Sequence, residues 1–210
     1  FASRLAVHSL SDLPVADNLD SLLAMARQRL RDANRQLRAE ALRRDVTLIG
    51  TTIAALLVSG RQAACLWAGD SRIYRQRGGR LQQLTCDHSQ VQAACALHPA
   101  GADTTLDRPP PNVITRALGA GDEIELDSVV VDVLDGDVFL LCSDGLSNEV
   151  EAASIAQALL PGRCQLAADA LLDLALARGG RDNITAVVVR ADDPDSPDRT
   201  QGHPVLQDVK

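Results

Sequence analysis

Two short stretches of this chain carry carboxylates where a hard cation could be held. Ser143-Asp144-Gly145 follows the apolar run Val138–Cys142, and Gly179-Gly180-Arg181-Asp182-Asn183 leads straight into the β-rich residues 184–189. The five-residue run is too short for a helix and is bounded by turn formers, which predicts a buried central strand. A carboxylate at the mouth of such a strand offers the oxygen ligands that Mg²⁺ and Mn²⁺ prefer, and a glycine beside it lets backbone or ligand come close. The alternative is an Asp that caps a turn. Repetition of the arrangement at a second strand end favours the cation site. A further carboxylate, Asp70, sits in the turn Gly69-Asp70-Ser71-Arg72. Asp87-His88 could suggest acid–base chemistry, but a structural or helix-starting role is the expected one for His88. No Cys-x5-Arg phosphate loop and no motif-supported nucleophile–His pair points to a covalent route.

The elements that must position these residues follow from periodicity. Residues 1–10 suit a short helix with Phe1, Leu5 and Leu10 on one face, ended by Leu13-Pro14. From Asp17 or Asn18 a long helix is predicted, with Leu19, Leu22, Leu23, Ala26, Leu30, Ala33, Leu37 and Ala41 at three- and four-residue steps. Arg27, Arg29, Arg31, Arg35 and Arg38 lie off that stripe and read as a solvated face. Residues 51–58 and 62–68 form one predicted hairpin, and 72–77 with 80–85 a second across Gly78-Gly79. Residues 90–112 lack a sustained period and read as a loop with a short helix. Residues 123–133 alternate into a strand, and Asp135-Gly136 is expected to be a hairpin turn into the central strand. Two helices, 151–160 and 165–178, precede a last strand, 184–190. Helices, antiparallel strands, helices and a closing strand imply an α+β sandwich of two sheets flanked by helices.

The balance of 21 basic against 28 acidic side chains gives a net charge of −7, which argues against nucleic acid or an anionic membrane as partner. Such a chain would repel a phosphorylated substrate unless cations reverse the local field. No run approaches the length of a membrane span, and a cytoplasmic setting is the expectation. Cys65, Cys86, Cys95, Cys142 and Cys164 are odd in number with no Cys-x-x-Cys spacing, so zinc and a disulfide framework are not expected. Cys65 and Cys142 fall in apolar strands and read as small buried hydrophobes.

Six segments in order, Gly50-Thr51-Thr52, Gly69-Asp70-Ser71-Arg72, LT-x-DHS at 84–89, ITRALG at 114–119, CSDGL at 142–146 and GG-x-DNIT at 179–185, resemble the PP2C (PPM) metal-dependent protein phosphatases, particularly their compact bacterial members. The resemblance covers residues 1–190 as one domain and leaves 191–210, rich in Asp and Pro, as a polar tail or linker. It implies the four-layer αββα order. It also implies hydrolysis of phosphoserine and phosphothreonine in proteins by a metal-bridged hydroxide, opposing a bacterial Ser/Thr kinase. Asp144 and Asp182 would bind two core Mn²⁺ or Mg²⁺ ions about 3.5–4 Å apart. Asn183 would brace Asp182 or a bound water, and Asp70 would support a third, weaker ion with Asp144. The partner would be a phosphorylated Ser/Thr protein, a kinase or its target, with residues 90–112 at the family's variable flap.

The family's opening Asp-Gly-x-Gly-Gly metal loop has no counterpart here, and Phe1-Ala2-Ser3-Arg4 resembles the helix that follows it. The expectation is therefore an N-terminally incomplete domain that binds Mn²⁺ poorly by itself. Two alternatives remain open at this point. One is a pseudophosphatase that keeps the fold to bind a partner; the other is an N-terminal-nucleophile hydrolase, which would need cleavage to expose Thr51.

Overall fold

The computed structural model describes residues 1–97, 113–160 and 162–193. Two helices, α1 (Ala2–Ser11) and α2 (Leu19–Arg43), open the chain. Asn18 caps α2, its Oδ1 accepting from the Ser21 N–H at 2.9 Å, which satisfies a donor that the first turn leaves orphaned. The expected stripe is the buried one: Ala26, Leu30, Ala33 and Leu37 are wholly enclosed. Buried on the same helix is Asn34, which the apolar pattern does not reveal. Its Nδ2 donates to the carbonyls of Gly121 and Asp122, and its Oδ1 accepts from the Gly119 N–H.

Among the described residues seven strands follow: β1 (Ile53–Ser59), β2 (Gln62–Ala68), β3 (Arg72–Arg77), β4 (Arg80–Gln83), β5 (Asp127–Asp132), β6 (Val138–Cys142) and β7 (Ala186–Arg190). They form two antiparallel sheets, ordered β1-β2-β5 and β4-β3-β6-β7. Helix α3 (Gln90–Leu97) follows β4, a one-turn α4 (Asp144–Ser147) follows β6, and α5 (Ala152–Ala158) and α6 (Cys164–Ala177) precede β7. Of the expected excursion at 90–112, residues 98–112 lie outside the described residues, as do 194–210 of the expected tail.

Strand alternation divides the core into layers. Ala64, Leu66 and Ala68 of β2 face α2, while Leu140 and Cys142 of β6 face α4, α5 and α6. The intervening residues Cys65, Trp67, Ile73 and Phe139 point the other way, into the space between the sheets, and all are buried. The result is the expected αββα sandwich. Burial pushes the Cys65 thiol up to about 11 and the Cys142 thiol up to about 12, so both stay protonated and pack as small hydrophobes.

Three expectations need correction. Asp135-Gly136 is not a hairpin turn: β5 pairs with β2 and β6 pairs with β3 and β7, so this turn carries the chain from one sheet to the other. Residues 123–126 stand outside the strand. Arg27 is not part of a solvated face, since it donates to the Leu126 carbonyl and the Ser128 hydroxyl at 2.7 Å each and ties α2 to β5.

Candidate metal centre

The candidate site lies at one end of the sandwich, where β6 stops, β7 begins and the chain crosses from β2 to β3. Asp144 is the first residue of α4, directly beyond β6, and Asp182 lies in the loop entering the antiparallel neighbour β7. Backbone and hydroxyl bonds lock the two segments together. Ser143 N–H donates to the Thr185 carbonyl at 3.1 Å, Thr185 N–H donates to Ser143 Oγ at 3.0 Å, and Ser143 Oγ donates to the Asn183 carbonyl at 3.1 Å. Gly145 completes the contact: a methyl group there would stand 2.4 Å from the Asn183 carbonyl oxygen and 3.4 Å from Asp182 Cβ. Asp182 Oδ1 accepts from the Asn183 N–H at 2.6 Å. That contact is made by the Asn183 backbone, and the Asn183 residue is exposed at the rim.

Asp70 reaches the same mouth from the crossing between the sheets. Burial, and then the negative charge of Asp144, push its carboxyl above the usual carboxylate range; Asp87 adds to the effect and Arg72 opposes it. A half-buried carboxylate facing a second one is the kind of donor set a hard cation would compensate. Arg72 does not neutralise them, because it is committed to Asp87: Nε lies 3.0 Å from both carboxylate oxygens and Nη2 lies 2.7 Å from Oδ2. That bidentate pair holds the Arg72 guanidinium above its ordinary value and braces the start of β3.

The three carboxylates are thus brought to one mouth, all of them oxygen donors and none paired with an arginine or lysine in the described structure. Among the described residues, no three His, Cys, Asp or Glu side chains close into one metal-sized cluster. The Asp70–Asp144 coupling and the tight Gly145–Asp182 approach fit Asp70, Asp144 and Asp182 as partial ligand sets for divalent cations.

The chain belongs to the protein phosphatase 2C family, whose model matches residues 1–171. It is 34% identical over 199 residues to the serine/threonine phosphatase Stp of Listeria welshimeri, spanning 90% of this chain and 77% of that protein. It is also 34% identical to the serine/threonine protein phosphatase PstP of Mycobacterium tuberculosis, covering 92% of this chain and 38% of that longer protein. Among solved structures, PppA, described as a key regulatory component of the type VI secretion system (T6SS) in Pseudomonas aeruginosa, is similar at 40% identity. Its TM-score is 0.82, with 90% of this chain and 79% of that chain covered. The PstP catalytic domain solved with two manganese ions superposes with a TM-score of 0.78 at 34% identity, over 91% of this chain and 81% of that one. Thr51, the residue a terminal-nucleophile hydrolase would have used, instead bridges Leu118 through two backbone hydrogen bonds of 3.0 and 2.8 Å. No helix among the described residues is long and apolar enough to cross a membrane.

Proposed function

We propose that this chain hydrolyses phosphoserine and phosphothreonine esters in proteins, with Asp144 and Asp182 as ligands of a Mn²⁺ or Mg²⁺ pair and Asp70 as a ligand of a third, weaker ion. The observation that carries this reading is the convergence of three carboxylates, from three separate segments, on one end of the sandwich without a compensating cationic side chain. Bound there, divalent cations would offset the charge of the phosphoryl oxygens and acidify a water for in-line attack. The chain's own contribution is placement. The Ser143–Thr185 lock fixes the Asp144 and Asp182 backbones relative to each other, and the Asn183 N–H orients Asp182 by holding Oδ1. Gly145 allows a separation that any side chain would forbid. The Asn183 amide, exposed at the rim, would donate to the substrate phosphate or to water.

The substrate is a phosphorylated protein, and the opposing activity is a Ser/Thr kinase whose product it reverses. Support comes from bacterial relatives named as serine/threonine phosphatases. A second reading, a pseudophosphatase that binds a partner, is favoured by one observation: no three metal-binding side chains close into a cluster among the described residues.

Hydrolysis of a phosphothreonine peptide in Mn²⁺ separates the two. Asp144→Asn and Asp182→Asn should each lower turnover by about a hundredfold or more, since loss even of a residue that only supports a ligand costs 10–100-fold. Melting temperatures should stay close to wild type. Wild-type-like turnover in either variant overturns the assignment, and a wild-type protein that, with the family's opening Asp-Gly-x-Gly-Gly segment present, neither binds Mn²⁺ by calorimetry nor turns over supports the second reading.

A further inference from the structure

His88 is 8% exposed, at the seam between the sheets, and its contacts converge on the turn that carries Asp70. Its backbone N–H donates to the Gly69 carbonyl at 2.9 Å, and the Gly69 N–H donates to its Nδ1 at 3.1 Å. One residue therefore holds both backbone groups of Gly69. On the far side of the ring, Nε2 lies 3.1 Å from Asp127 Oδ2 at the start of β5. The imidazole stacks on Trp67, with centroids 6.1 Å apart and planes 19° apart. Arg116 Nη1 donates to Asp127 Oδ1 at 2.9 Å and stands 3.4 Å from Nε2, while its Nη2 pairs with Glu125 at 3.1 Å.

These contacts choose a tautomer. A backbone N–H can only donate, so Nδ1 must be the bare nitrogen and the ring proton sits on Nε2, where it is donated to Asp127. The reverse tautomer would set two donors face to face at Gly69 and turn a lone pair towards the Asp127 carboxylate. It would satisfy only the longer contact to Arg116. Asp127 acts here as an orienting carboxylate, fixing which nitrogen carries the proton.

Gly69 has reason to need a clamp. Its φ is +115°, and a methyl group there would meet Thr52 Cγ2 at 2.4 Å, so no other residue fits where the chain crosses from β2 to β3. Glycine is also the residue with most backbone freedom to lose.

We infer that His88 is a positioning residue: held by Asp127 with its proton on Nε2, it fixes the Gly69 turn and thereby the direction of the Asp70 carboxylate. The consequence for metal dependence rests on the role proposed for Asp70, whereas the tautomer and the clamp do not.

Nitrogen-15 long-range spectra of the native protein should show His88 protonated on Nε2 and bare on Nδ1, and the Gly69 amide should exchange slowly with solvent. His88→Asn keeps an acceptor near the Nδ1 position, His88→Gln keeps only a donor near Nε2, and Asp127→Asn permits the ring to change tautomer. His88→Gln and Asp127→Asn should speed Gly69 exchange by about tenfold or more. They should also raise the Mn²⁺ concentration giving half-maximal turnover while changing kcat at saturating metal less, and His88→Asn should stay near wild type in both. A proton on Nδ1 of the wild type, or unchanged Gly69 exchange in folded His88→Gln, overturns the inference. The wild-type spectrum decides it even where variants do not fold. Normal Gly69 clamping in a protein without phosphatase activity would instead overturn the proposed function and leave the clamp standing.

Discussion

Strand β6 begins just after one aspartate and ends just before another, and the two are treated in opposite ways. Asp137, 1% exposed, is enclosed by cations and donors: Arg77 Nε and Nη2 each donate to it at 2.6 Å, and the Leu134 N–H donates at 2.9 Å. Burial alone would push its carboxyl up, but the hydrogen bonds from Arg77 and Leu134, with the charges of Arg77 and Arg75, outweigh it and hold the group below the usual range. Arg77 also donates to the Asp132 carbonyl at 2.7 Å, so the same guanidinium fastens β3 to β5 across the sandwich. At the other end, about 20 Å away by strand rise, Asp144 faces Asp70, and the nearest arginine is occupied by Asp87. A buried carboxylate given its cation by the chain is structure. Carboxylates gathered without one leave a charge for a ligand to meet.

The comparison breaks most visibly at Asp137. Asp137→Asn should cost about 2–3 kcal/mol of stability: below the 3–5 kcal/mol typical of a fully buried pair, because Arg77 is partly exposed and screened. Chemical denaturation would measure this. The pH dependence carries a sign: because the folded carboxyl titrates below its unfolded value, its stability is present above the unfolded pKa and lost as pH falls through the folded one. Wild type should therefore lose an increment of stability below about pH 4 that Asp137→Asn lacks. Turnover per folded molecule at neutral pH should be unchanged, and a large fall in it would mean the two ends are coupled.

Next in size is Gly145→Ala, which tests whether the carboxylate end depends on close backbone approach. The added methyl must separate the 143–145 and 182–185 segments, because the atom it meets is a backbone carbonyl rather than a flexible side chain. Overpacking of this kind costs about 1–3 kcal/mol. Here it should also weaken Mn²⁺ binding by calorimetry, since it moves Asp182 relative to Asp144. Lost stability with unchanged Mn²⁺ affinity would show that the approach serves packing alone.

These two ends were unequally legible in the sequence. The central strand, its neighbour and the positions of Asp144 and Asp182 follow from short apolar runs stopped by turn residues, because a continuous apolar run too short for a helix and ended by Gly and Asp has few other readings. Sheet membership was hidden. A period of two says which residues point inward but not which sheet they belong to, so Asp135-Gly136 looked like a hairpin turn and proved to be a crossing. Strand β2 shows why alternation fails inside a sandwich: six of its seven residues are buried, one set against α2 and the other against the second sheet. Asn34, Arg27 and the His88–Asp127–Arg116 set were invisible for a different reason. Each is defined by a partner dozens of residues away or by a backbone group, and neither leaves a local pattern. Likewise Arg77–Asp137, 60 residues apart in sequence, could be recognised only once β3 and β6 were paired.

The smallest effect should come from Asp70→Asn, and its sign is what matters. The folded Asp70 carboxyl binds its proton more tightly than the unfolded one, because burial and Asp144 disfavour the anion. Whatever stability that group lends is therefore present at low pH and lost as pH rises through its folded pKa, so that at neutral pH the ionised side chain works against the fold. An amide of nearly the same shape removes the charge and its repulsion with Asp144. Metal-free Asp70→Asn should melt slightly above wild type at neutral pH, with the difference vanishing in acid, the reverse of Asp137→Asn. Added Mn²⁺ should narrow or invert the gap, since a bound cation stabilises only the form that holds it. Turnover should fall more than occupancy of the tighter metal sites measured by calorimetry. If metal-free Asp70→Asn instead melted below wild type, Asp70 would belong with Asp137 among carboxylates that hold the fold together, and the charge at this end would have to be assigned to Asp144 and Asp182 alone.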